Sequence, residues 1–88
     1  MICIRYRIEF APAAEQFLDG LRDRRLLARL HQAIERLRDN PHPSGCKKMQ
    51  GLPGYRIRVG DYRIVYRVQG HSLLITVIKI GHRKEIYR

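Results

Sequence analysis

The 88 residues carry a net charge of +10, a pI near 10.5 and 44% apolar residues, the length of one small domain with a modest core. That apolar content excludes general disorder, and no apolar run approaches the roughly 20 residues of a membrane span. Residues 1–44 hold eight Lys/Arg against six Asp/Glu, whereas residues 45–88 hold ten against two. The first half reads as scaffold and the second as a surface that meets an anion. Such charge speeds association with nucleic acid and adds non-specific affinity without defining sequence specificity. Cys3 and Cys46 show neither CxxC spacing nor a Cys/His cluster, which argues against a structural zinc site. Charged Arg5 and Arg7 come at once, so no secretory signal is expected and a cytosolic protein with reduced thiols is the simplest reading.

In chain order, residues 2–9 alternate, with Ile2, Ile4, Tyr6 and Ile8 on one face and Arg5, Arg7 and Glu9 on the other. That pattern predicts a half-buried strand. Pro12 suits the first turn of a helix, with Glu15 near its positive end and Ala14, Phe17, Leu18 and Leu21 as its apolar face. A second helix is predicted over 23–39 from Leu27, Leu30, Ile34 and Leu37. The Asn40–Gly45 stretch, NPHPSG, ends it, because proline cannot continue the ladder. The remainder reads as β: strands near 55–59 and 62–68 joined by Gly60-Asp61 as a tight hairpin, then a turn at 69–71. Leu73–Ile80, apolar on both faces, reads as a central strand that Gly81 breaks to release the tail. The expected fold is α+β, one domain over 1–88 in the order β-α-α-β-β-β, with a mainly antiparallel sheet and a two-helix layer on one face.

In the hairpin, Arg56 and Arg58 share a face, as do Arg63, Val65 and Arg67. Tyr55, Ile57 and Val59, with Tyr62, Ile64, Tyr66 and Val68, form the opposite, packing face. Four arginines therefore share one side, and the tail adds His82, Arg83, Lys84, Tyr87 and Arg88. Alternating arginines on an exposed strand are usually just solvated. Their convergence with a basic tail, in a half with only two acids, favours a binding surface. Tyr62 and Tyr66 read as core, and His31, His42 and His71 as exposed or structural. Lys47 and Lys48 adjoin the hairpin.

Few carboxylates are available to hold Mg²⁺, so no metal or other cofactor is expected. Metal-free RNA cleavage needs no protein nucleophile, because the 2′-hydroxyl can attack the adjacent phosphate. The protein must hold the strand in line, neutralise charge on the phosphate oxygens and help protons move. Arginine suits the second task, a histidine or tyrosine the third, and an aromatic ring can hold an unstacked base.

The segments Lys48–Gly51 (KMQG), Tyr55–Val59 (YRIRV), Asp61–Tyr66 (DYRIVY) and Ile80–Arg83 (IGHR), followed by Tyr87, resemble the RelE toxins of bacterial and archaeal toxin–antitoxin systems. The resemblance covers almost the whole chain, and the ordered set is more specific than any single piece. It implies a ribosome-dependent endoribonuclease that cuts mRNA in the A site and is inhibited by a RelB-like antitoxin. By that resemblance Arg63 and Arg83 stabilise phosphate, Arg56 and Arg58 take the positions of basic residues on the preceding strand, and Tyr87 stacks on or orients the substrate. Lys47, Lys48, Arg67, Lys84 and Arg88 are the expected RNA and ribosome contacts. Some relatives carry lysine where Arg56 and Arg58 stand. Arginine is a poor general base, so by that resemblance proton transfer passes to His82 or catalysis is mainly electrostatic. The alternative on the same fold is a ParE-like toxin that poisons DNA gyrase by binding.

Overall fold

The computed structural model describes residues 5–49 and 54–82. A strand, β1 (Arg7–Phe10), leads into helix α1 (Pro12–Gly20), with proline in its first turn and Glu15 near its N-terminus. Helix α2 (Arg24–Leu37) follows. The Asp23 side chain caps it by accepting from the backbone N–H groups of Arg25 and Leu26, each at 3.1 Å. Strands β2 (Lys47–Lys48), β3 (Tyr55–Val59), β4 (Tyr62–Gln69) and β5 (Leu74–His82) complete a sheet of order β1-β5-β4-β3-β2. β1 lies parallel to β5 and the other pairs are antiparallel. None of the described helices is long and apolar enough to cross a membrane.

Both helices lie on one face of the sheet. Leu30, Ile34 and Leu37 of α2, with Ala14 of α1, pack against Ile57, Val59, Ile64, Tyr66, Ile75, Val77 and Ile80. The sequence-predicted α+β architecture, with its two-helix layer, is therefore the one observed, and β5 is interior as its apolar composition implied.

Three features differ from the sequence expectation. First, the short β2 adds an edge strand. It contains two lysines and no apolar alternation, so its pattern carries no strand signal; it forms by pairing Lys47 with Arg56 and Lys48 with Tyr55. Second, β5 does not stop at Gly81 but continues to His82. Gly81 pairs with Arg63, and a glycine with no side chain leaves room beside the long arginine. Third, β5 carries a bulge. Val65 pairs with Lys79 but Tyr66 pairs with Val77, so Ile78 is the extra residue. The bulge resets the alternation, so that Ile75 and Val77 before it and Ile80 after it are all buried. At the β3–β4 turn, Gly60 has φ +60°, the left-handed value that tight hairpin turns demand.

A candidate nucleic-acid site on the open sheet face

Cross-strand register decides which side chains share a face. Arg58 pairs with Arg63, Arg56 with Val65, and Lys47 with Arg56. These residues alternate with Ile57, Val59, Ile64 and Tyr66, which point to the helices. Lys47, Arg56, Arg58 and Arg63 therefore share the face away from the helices. With Gly45 and Ile57 they line a groove of about 240 Å³. Arg67 is on the same face, opposite Thr76, but outside that groove. Lys48 pairs with Tyr55 and so belongs to the opposite face. The two adjacent lysines are thus separated by the pleat, and only Lys47 joins the arginines.

Within the groove the arginines differ. Arg63 is only 8% exposed. It is held between neighbouring strands, and one of its terminal nitrogens donates to the Tyr62 carbonyl at 3.5 Å. Arg58 is exposed, and its Nε donates to the Gly60 carbonyl at 3.0 Å. Arg56 is half-buried. Arg58 facing Arg63, and Lys47 facing Arg56, are like-charge pairs across the ladder, an arrangement that costs stability. A bound anion relieves that repulsion. The low-dielectric setting of Arg63 strengthens its attraction for a phosphate.

His82 is not brought to this groove. It pairs with Tyr62 on the helix-facing side, where the two rings meet edge-on at 5.6 Å, and Tyr62 in turn packs on Phe17 at 5.9 Å. The physical cause is the extra residue at Ile78. Without it the parity of β5 would turn His82 to the arginine face. Arg83, Lys84, Tyr87 and Arg88 lie outside the described residues.

Behind the groove, a partly buried polar contact fixes the edge of the site. The Tyr66 hydroxyl donates to the Pro41 carbonyl at 2.6 Å. That uses its one proton, so the Cys46 thiol, 3.2 Å away, is the donor in their contact. Burial pushes the Tyr66 hydroxyl far above the ordinary tyrosine value. This contact ties the Pro41–Gly45 loop to β4 and sets Gly45 and Lys47 at the rim of the groove.

A larger cavity, about 580 Å³, lies elsewhere, between β1, α1 and α2. Glu9, Glu15 and Asp19 line it, the wrong sign for a polyanion. Sequence reasoning also treated the first half of the chain as scaffold only. In the structure Arg36 of α2 joins Arg58, Ile57 and Gly45 around a neighbouring groove. The signal for it was the arginine spacing along α2.

Comparison with known proteins agrees with the fold. A family model described as "ParE toxin of type II toxin-antitoxin system, parDE" matches residues 8–87. Toxin RelG of Mycobacterium tuberculosis is 30% identical over 84 residues, covering 94% of this chain and 97% of that protein. Among solved structures, the archaeal RelE–RelB complex of Pyrococcus horikoshii superposes with a TM-score of 0.77 at 26% identity, covering 90% of this chain and 96% of that one. The RelBE2 toxin–antitoxin complex of Mycobacterium tuberculosis gives a TM-score of 0.79 at 22% identity, covering 93% and 95%, a likeness of fold. The molecule is of the class of small toxins from type II toxin–antitoxin systems. Within that class, the chain belongs to the RelE/ParE family.

Proposed function

We propose that the protein is a metal-independent endoribonuclease that cleaves mRNA in the ribosomal A site and so inhibits translation, and that a RelB-like antitoxin neutralises it. The observation that carries this reading is the convergence of Lys47, Arg56, Arg58 and Arg63 around one groove on the open sheet face. It sits next to Gly81 of β5, from which the chain continues towards Arg83 and Tyr87. The Rel toxin name of the Mycobacterium tuberculosis relative and the RelE–RelB complex of Pyrococcus horikoshii support it.

In this reaction the RNA 2′-oxygen attacks the adjacent phosphorus while the bond to the 5′-oxygen breaks. The products are a 2′,3′-cyclic phosphate and a 5′-hydroxyl. The 2′-hydroxyl loses its proton and the leaving oxygen gains one. Arg58 and Arg63 neutralise the non-bridging oxygens as charge builds on them. Arg56 and Lys47 hold the flanking backbone, with Lys48, Arg67, Lys84 and Arg88 as outer contacts to RNA or ribosome. Arg83 adds a further phosphate contact and Tyr87 orients the base. His82, seated against Tyr62, serves this site as a packing residue under β5, so the groove itself contributes mainly positioning and charge.

End-group analysis tests the chemistry. The expected products carry a 2′,3′-cyclic phosphate, form equally in EDTA, and disappear when the nucleotide 5′ to the cut is 2′-deoxy. A 5′-phosphate product, or loss of cutting in EDTA, contradicts this mechanism. The second reading, a gyrase poison, is favoured by one observation, the match to the ParE family model. It requires that purified protein inhibit DNA supercoiling and leave translated mRNA intact.

A further inference from the structure

The arginine groove does not end at the edge of the sheet. Since β2 pairs only with Tyr55 and Arg56, the end of β3 beyond them has no strand beside it on that side among the described residues. Arg58 sits at this open edge, where its Nε is held by the Gly60 carbonyl. From there three further grooves follow, each sharing lining residues with the one before. The first, lined by Arg36, Gly45, Ile57 and Arg58, shares residues with the arginine groove. The next holds Arg29, Gln32, Arg36, Arg58 and Gly60. The last holds Arg25 and Arg29 with Gly60, and ends at Asp23 and Asp61.

The helix is built for this. Positions 25, 29, 32 and 36 fall on one stripe of α2, facing the β3 edge and away from Leu30, Ile34 and Leu37. The stripe reads Arg-Arg-Gln-Arg, contains no acid, and extends for about 16 Å at the helical rise. Arg25, Arg29 and Arg36 are exposed and have no ion-pair partner among the described residues, whereas Arg38, on another side of the helix, pairs with Glu35 at 2.8 Å. The Arg29 guanidinium lies over the β3–β4 turn: a Cβ built on Gly60 would sit 3.5 Å from both of its terminal nitrogens.

We propose that this stripe is a second phosphate-binding track. A single RNA strand engaged at Arg56, Arg58 and Arg63 passes over the sheet edge at Arg58 and continues along Arg36, Arg29 and Arg25 of α2. The occupant is a single strand because the track is continuous with the cleavage groove and bends around the sheet edge, a path that a stiff duplex does not follow. Asp23 and Asp61 mark where it ends. This inference rests on the RNA-cleaving reading and extends it with a second, non-catalytic surface.

The test uses RNA made resistant by 2′-O-methylation, in lengths of about 4 and about 12 nucleotides, within the range of small single-strand sites. Binding is measured against salt for the wild type and for the triple variant Arg25→Gln, Arg29→Gln, Arg36→Gln, which keeps good helix formers at exposed positions. The short RNA is expected to bind both proteins equally. The long RNA is expected to bind the wild type at least tenfold more tightly than the short one, and the triple variant is expected to lose that gain. Its salt slope for the long RNA should fall by about 2, at about 0.7 for each phosphate contact removed. Equal affinity and slope for the long RNA in both proteins overturns the proposal. So does no gain with length in the wild type, or a loss confined to a 12-base-pair duplex probe. The proposed function fails separately, through absence of mRNA cutting by the wild type during translation.

Discussion

Arg58 and Arg63 face each other across β3 and β4, and two like charges at that spacing repel. Arg58→Gln is therefore expected to stabilise the free protein by about 0.5 kcal/mol, seen as a rise in Tm of about 2–4 °C. The same variant should lose about 10- to 100-fold in cleavage rate, because one of the charges that meets the phosphate is gone. A variant less stable and fully active would show that the pair is not held for an anion. Tyr66 makes a different argument. Tyr66→Phe leaves the partly buried Pro41 carbonyl and Cys46 thiol without their partner, at a cost of about 1–2 kcal/mol in denaturant unfolding. The folded hydroxyl titrates above the ordinary value of 10.0. The folded state therefore holds this proton after the unfolded state has released it. The contribution of Tyr66 is complete below pH 10 or so and declines as pH rises above it. Unfolding measured between about pH 9 and 11.5 should show the wild type losing stability more steeply than Tyr66→Phe.

At the scale of elements, the helices were legible from local signals. Pro12 and Glu15 opened α1, the Leu30, Ile34 and Leu37 spacing drew α2, and the prolines after Asn40 closed it. The hairpin was legible from Gly60 and from alternation on both sides of it. Alternation alone also assigns Arg56, Arg58, Arg63 and Arg67 to one face. Two things were not legible. A two-residue strand of lysines has no pattern to read, and the pleat that parts Lys47 from Lys48 follows only from its pairing with β3. The bulge at Ile78 sits in a run of apolar residues, where inserting one residue changes no hydrophobic signal, yet it decides the side on which His82 falls. The connection between β4 and β5 carries a further local cost. Leu73 has φ +50° and is 37% exposed, a left-handed conformation that a branched side chain adopts poorly. Leu73→Asn should raise stability by about 0.5 kcal/mol in urea unfolding, since asparagine tolerates that region; a loss of similar size would mean that the leucine side chain has a packing role.

Across the whole molecule, charge is organised by face rather than by half of the chain. The open face of the sheet and the adjoining stripe of α2 are basic, whereas Glu9, Glu15 and Asp19 gather around the cavity between β1 and the helices. The helices therefore do more than cover the core; α2 also completes the cationic surface at the sheet edge. An antitoxin that acts by covering that surface is expected to screen its charge and to bury apolar groups as well. Its affinity is expected to weaken only partly between low and high salt, and a complete collapse at high salt would remove the apolar part of that account.

The most direct measurement is primer extension on mRNA in a purified translation system, comparing the wild type with Arg63→Gln, Arg58→Gln and Arg83→Ala. Arg58 is exposed, so its variant keeps the comparison sound if the buried Arg63 change disturbs folding. The account predicts discrete A-site cuts with the wild type that fade in Arg58→Gln and vanish in Arg83→Ala, while antitoxin binding persists. Intact mRNA with the wild-type protein, or cuts of equal strength in every variant, would contradict it.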